Sequence, residues 1–242
     1  MAIRGILFDK DGTLLDYQAT WMPVNREVAA RLAHRDPQRT QDLLIAGGYD
    51  PHTDRVAAGT LLAAGNNRQI ARQWHGMVGD LWPDFASVLA AVDAGFAELC
   101  TQTATPVTDL GVFVARLKAR GLKLGIATAD SVAGIHASLA PFGVLDRFDF
   151  ISGYDSGYGP KPEPGQVYGF METTGLASHE VMMVGDNLHD LHMGRAAAAG
   201  CVVGVLTGTS ARADLAPHAD HVLDDITGIE AVLDLDLATR TA

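Results

Sequence analysis

Cysteine is scarce in this chain, with only Cys100 and Cys201 among 242 residues. Two cysteines so far apart, each in an apolar stretch, build no disulfide framework and read as buried thiols. Basic residues are also few: 18 Lys and Arg face 29 Asp and Glu, a formal net charge of −11. That argues against nucleic acid as a partner, because phosphate backbones call for clustered lysine and arginine. A small anion held at a local positive spot is still allowed. Long apolar runs are absent. No stretch nears the roughly 18 residues of a membrane helix, and the opening "MAIRGILFDKDG" turns charged too soon for a signal peptide. A cytoplasmic protein with no membrane partner is the expectation. No repeat or low-complexity segment is visible. What the chain does have is apolar residues, 48%, and modest charge, 19%. That is enough for a real core and too little charge for disorder.

The apolar pattern divides the chain. Residues 3–9 read as a short strand buried on both faces. From about 20 the spacing becomes helical, as with Trp21, Val24, Val28 and Leu32. Helices are also expected over "DLLIAGG", over 54–64, after a cap at Asn66 or Asn67, and through Phe85, Val88, Val92, Phe96 and Leu99. The stretch from 17 to 103 is thus expected to be all helix. The three tryptophans within it, Trp21, Trp74 and Trp82, read as its core. Beyond Pro106, helix and strand alternate. Thr108 should cap a helix closed by Gly121. "LKLGIAT" is then a strand, 131–140 a helix, "FDFISG" a strand, 165–174 a helix and "EVMMVGD" a strand. A helix over 189–199, a strand "CVVGVL", a short strand "HVL" and a helix over 225–233 complete the series. Such alternation predicts an α/β fold: a Rossmann-like parallel sheet with helices on both faces, joined by right-handed crossovers. The domain expectation is a core of 1–16 and 104–242, with an all-helical insert of 17–103 after the first strand.

In open parallel sheets, ligands bind beyond the carboxyl ends of the strands. The first strand ends in "DKDGT", placing Asp9 and Asp11 one residue apart. The next ends on Thr128, followed by Ala129 and Asp130. The third leads to Lys161 in "GPKPEP", and the fourth to Asp186 and Asp190 in "GDNLHD". Four carboxylates gathered on one edge would raise each other's pKa values. A hard divalent cation with a taste for oxygen, such as Mg²⁺, would remove the conflict. Lysine and hydroxyl donors beside such a cation suit phosphoryl transfer. His189 and His192 lie three apart on a helix, but a site of this kind wants oxygen, so they read as surface histidines.

These four motifs, in this order and at these strand ends, resemble those of the haloacid dehalogenase superfamily, and within it the phosphoglycolate phosphatase-like branch. The resemblance covers roughly 1–16 and 104–225, and the insert sits where that superfamily carries its helical cap. It implies that Asp9 is a nucleophile forming an aspartyl-phosphate and that Asp11 is the general acid and base. It implies that Thr128, the Ala129 N–H and Lys161 bind phosphate. It further implies that Asp9, the Asp11 carbonyl, Asp186 and Asp190 form the Mg²⁺ site, with Asp190 either a ligand or one step removed. Position 10 is usually apolar in that superfamily. Here it is Lys10, which strand alternation turns away from the nucleophile, so little is attached to it.

The function expected is therefore Mg²⁺-dependent hydrolysis of a small phosphomonoester metabolite, phosphoglycolate-like or a sugar phosphate. Other enzymes of the fold stay open, a sugar-phosphate mutase or a phosphonatase, as does a non-catalytic binding protein. A dehalogenase is disfavoured, because a departing halide needs no acid and Asp11 supplies one. Substrate choice would rest on residues such as Tyr17, Gln18, Arg55, Arg68 and Arg72. The oligomeric state is not encoded in any motif.

Overall fold

The structure, a computed structural model, describes residues 2–241, with side chains through Leu235. It begins with β1 (Gly5–Phe8), four residues buried on both faces. Then come α1 (Tyr17–Leu32), α2 (Pro37–Ala46), β2 (Tyr49–Asp50), β3 (Arg55–Val56), α3 (Leu61–Ala64), α4 (Asn67–Val78) and α5 (Phe85–Thr103). The remainder alternates: α6 (Leu110–Ala119), β4 (Lys123–Ala127), α7 (Val132–Leu139), β5 (Phe150–Ser152), α8 (Gly165–Thr174), β6 (Val181–Gly185), α9 (Leu188–Ala196), β7 (Cys201–Val205), α10 (Arg212–Leu215), β8 (His221–Leu223) and α11 (Ile229–Thr241).

The chain falls into two compact units, residues 1–17 with 106–242, and residues 18–105. The first holds a six-stranded sheet in the order β5-β4-β1-β6-β7-β8, every pairing parallel. β1 lies inside it, between β4 and β6. Alternate side chains leave opposite faces, as strand geometry requires. Leu7, Ala127 and Met183 pack with Val167 and Phe170 of α8 and Met193 of α9. Phe8 points the other way, its ring 6.1 Å from that of Phe113 on α6. Glycine makes room for α8. A Cβ on Gly125 would sit 2.7 Å from Phe170 and 2.8 Å from Leu7.

The second unit is helical around its own core. Trp74 is fully buried and donates to the Leu43 carbonyl at 2.8 Å, Trp82 donates to Leu32 at 2.9 Å, and Trp21 packs on Phe96. Asn66 caps α4 through a reciprocal bond pair with Gln69. The all-helix expectation needs correction here. β2 and β3 form a small antiparallel hairpin, and only Leu61–Ala64 of the expected 54–64 helix is helical. Asp54 in the turn takes a positive φ of 58°, a shape in which a helix cannot continue. The cap of α6 is Asp109, whose carboxylate accepts from the Val112 N–H at 3.0 Å, rather than Thr108. Neither cysteine is in a disulfide, and both are buried. Among the described residues, no helix is long and apolar enough to cross a membrane.

Candidate active site

Each parallel strand delivers its polar residue to the sheet edge as the apolar run ends. β1 runs out at Phe8, and the Asp9 N–H still completes the ladder by donating to the Val184 carbonyl at 2.8 Å. Asp9 is thereby locked beside β6, which ends one residue before Asp186. Gly12 then turns the chain with φ 86°, and a Cβ there would lie 2.6 Å from the Asp186 carboxyl carbon. Asp190 occupies the third position of α9. Its Oδ2 accepts from the Asn187 N–H at 3.2 Å, and Asn187 is the helix cap. Asp190 therefore closes a capping box with one oxygen and has the other to spare.

That spare oxygen meets Lys161. The lysine Nζ donates to Asp190 Oδ1 and to Asp9 Oδ1, both at 2.6 Å, and its side chain is only 5% exposed. Ligand atoms of Asp9, Asp186 and Asp190 lie within 4.8 Å of one another, all three residues buried. Three carboxylates against one ammonium leave an excess of negative charge out of water. Burial pushes Asp9 up to about 6, only partly offset by Lys161, and burial with two carboxylate neighbours holds Asp186 well above the usual range. Asp9 Oδ2 is buried without a hydrogen-bond partner. A hard divalent cation fits this donor set, since it would satisfy that oxygen and the surplus charge together.

Thr128 is buried just past β4, its Oγ1 accepting from the Asp130 N–H at 3.2 Å. Ala129 beside it is exposed. Gln166 of α8 donates to the Thr128 carbonyl at 3.3 Å and has a buried, unpartnered Oε1. Asp11 lies apart from the three-carboxylate group. Its carboxylate is held by Lys10, whose Nζ stands 2.8 and 2.7 Å from the two Asp11 oxygens and 3.0 Å from Asp130 Oδ2. The dismissal of Lys10 is thus corrected: its side chain is fully buried and binds the second motif carboxylate.

The sequence reading also missed the loop after β7. The Thr209 N–H donates to Asp186 Oδ2 at 3.0 Å, and the Thr207 hydroxyl donates to the Gly12 carbonyl at 2.7 Å. A Cβ on Gly208 would fall 1.8 Å from Asp186 Oδ2. The signal was present as one more strand end, "VLTGTS", on the same edge. His192 is paired rather than solitary, with Nε2 3.2 Å from His218 Nδ1. Two of the residues considered for substrate choice are engaged within the helical unit. Gln18 donates to the Asp54 carbonyl at 2.6 Å, and Arg68 lies over the Phe85 ring at 5.6 Å.

The haloacid dehalogenase-like hydrolase family profile matches residues 3–198. The chain belongs to this family. Among curated relatives it is 27% identical to a phosphoglycolate phosphatase of Yersinia pseudotuberculosis over 203 residues, 83% of this chain and 80% of the relative. It is 25% identical to an N-acetylmuramic acid 6-phosphate phosphatase of Pseudomonas aeruginosa, over 81% of this chain and 78% of that one. Among solved structures, one described as a predicted phosphoglycolate phosphatase from Haemophilus somnus superposes with a TM-score of 0.73 at 18% identity. It covers 95% of this chain and 97% of its own. This haloacid dehalogenase-like hydrolase is an enzyme, and phosphoglycolate phosphatases are among its curated relatives.

Proposed function

We propose that the protein is a Mg²⁺-dependent phosphatase that hydrolyses a small phosphomonoester metabolite through an aspartyl-phosphate on Asp9. One observation supports this above the others. Asp9 is 4% exposed, with one oxygen gripped by Lys161 and the other buried without a partner beside two further carboxylates. A structural carboxylate would have its oxygens satisfied. One that must bind a cation and attack phosphorus is left with an oxygen free.

Asp9, Asp186 and Asp190 would hold the ion, with the Asp11 carbonyl as a further donor. When bound, Mg²⁺ would draw charge from the phosphoryl oxygens and relieve the crowded carboxylates. The chain's own groups do the rest. Asp9 attacks phosphorus, the bond from phosphorus to the leaving oxygen breaks, and Asp11 hands that oxygen a proton. Water then attacks the aspartyl-phosphate and gives its proton to Asp11, which frees phosphate, restores the Asp9 carboxylate and leaves Asp11 protonated again. The Thr128 hydroxyl, the Ala129 N–H and Lys161 donate to phosphoryl oxygens. Lys161 is prepared for this, since two carboxylates and their hydrogen bonds keep it protonated despite burial.

The test is Asp9→Asn in a preparation free of contaminating phosphatase, assayed with Mg²⁺ on p-nitrophenyl phosphate and a panel of metabolite phosphates. An amide cannot attack phosphorus, so turnover should vanish on every substrate while the fold persists. EDTA should silence the unmodified protein, and Mg²⁺ should restore it. Near-normal turnover by Asp9→Asn would remove the reading.

A further inference from the structure

Lys10 is a costly residue to place at the end of a buried strand. Its side chain has no exposed surface, and taking an ammonium out of water carries a penalty that it can offset only by keeping both of its ion pairs, to Asp11 and to Asp130. Stability alone is a weak reason for it, because an apolar side chain would fill the space without that penalty. The geometry suggests another use. Nζ lies within 2.8 Å of both Asp11 oxygens, so the carboxylate is gripped as a unit rather than touched at one corner. The far side of Nζ is held by Asp130 Oδ2 at 3.0 Å.

Asp130 is fixed in turn. Its Oδ1 accepts from the Ser131 N–H at 2.7 Å, its N–H donates to Thr128 Oγ1, and its carbonyl accepts from the Tyr154 N–H at 2.9 Å. The loop after β4 therefore anchors Lys10, and Lys10 anchors Asp11. The Asp11 side chain retains 20% exposure, while the Lys10 side chain that grips it has none.

We propose that Lys10 is a positioning residue for Asp11, fixing through Asp130 the carboxylate that carries the leaving-group proton. This rests on the reading of Asp11 as general acid and base. Lys10 is assigned no contact with substrate. Its effect should appear only where Asp11 matters, and should disappear when Asp11 is neutralised.

The experiment measures kcat/KM, which covers the steps through departure of the leaving group. Two probes are used. β-Glycerophosphate has an alkoxide leaving group that needs a proton, whereas p-nitrophenyl phosphate has one that needs little. Lys10→Met should lower kcat/KM on β-glycerophosphate about tenfold to a hundredfold, the scale of a misplaced catalytic group, and on p-nitrophenyl phosphate by no more than about threefold. Added to Asp11→Asn, it should cause no further loss, because residues acting as one unit are not additive. Asp130→Asn, at the half-open rim of the triad, should repeat the leaving-group pattern more weakly. It serves as the test should Lys10→Met fail to fold. Equal losses on both probes, no loss with Asp130→Asn, or full additivity with Asp11→Asn would overturn the proposal. Failure of the phosphatase reading would look different: neither probe would be turned over by the unmodified protein, or Asp9→Asn would be as active.

Discussion

Asp9 and Asp186 are carboxyls whose surroundings favour the protonated form, and this has a consequence for stability. Asp9 rises from an ordinary 3.8 to about 6, through burial first, and Asp186 moves the same way. A carboxyl raised in the folded state contributes fully below its unfolded pKa, and that contribution is lost as pH climbs through the folded one. Without metal, stability from these groups should therefore fall between about pH 4 and somewhat above pH 6. Mg²⁺ needs the ionised carboxylates, so its stabilising effect should grow across the same window. Thermal melts with and without Mg²⁺ should show a small upward shift near pH 5 and one of several degrees near pH 7.5, where a cation at about 100 times its Kd contributes about 2.7 kcal/mol. An equal shift at both pH values would mean that these carboxylates are not the ligands. Asp9 and Asp186 were legible in the sequence because a buried strand must put its first polar residue at the sheet edge, whereas Lys161 and Asp190 were read from the motifs beyond β5 and β6. Lys10 was not, because alternation correctly turned it from Asp9 but gave no hint that Asp11, beyond the strand end, turns to meet it.

At the level of elements, parallel strands were easy to read. Runs such as "GILF" and "VMMVG" are buried along their whole length and bounded by turns. The β2–β3 hairpin was not readable, since two residues per strand carry no period. Nor could the end of the 131–140 helix be placed to the residue, because α7 passes into a tight 3₁₀ turn at Ala140–Phe142. One contact between elements invites a measurement. α8 lies on the sheet with Phe170 over Gly125 of β4, and a methyl added to Gly125 would meet that ring at 2.7 Å and Leu7 at 2.8 Å. Both neighbours are fully buried and have little room to yield. Gly125→Ala should therefore lose about 1–3 kcal/mol in urea unfolding, the usual cost of overpacking. The Asp9, Asp186 and Asp190 cluster should be spared. A stability gain would mean that α8 is loosely seated.

Across the whole molecule the charge is −11, and the proposed substrate is itself an anion. Near Asp9 the balance would be closer to even with the proposed divalent cation in place, since it, Lys10 and Lys161 would set four positive charges against the five carboxylates Asp9, Asp11, Asp130, Asp186 and Asp190. The long-range field is then repulsive and the local one nearly neutral. Raising ionic strength from about 10 to 150 mM shortens the Debye length from about 30 to 8 Å. At constant free Mg²⁺, this should increase kcat/KM for a phosphomonoester by a small factor. A steep fall with salt would reveal an attractive field that the composition does not suggest. The central place of β1 has a further consequence, for the order of events during synthesis. Gly5 pairs with Lys123 on one side and Val181 on the other, so the strand made first waits for partners made much later. Residues 18–105 close their contacts among themselves in the meantime. On a ribosome the helical segment can fold while β1 is still unpaired. Asp9 then reaches its place only once the chain beyond β6 has emerged, so a stalled or truncated product would be partly folded, with its carboxylate cluster unassembled.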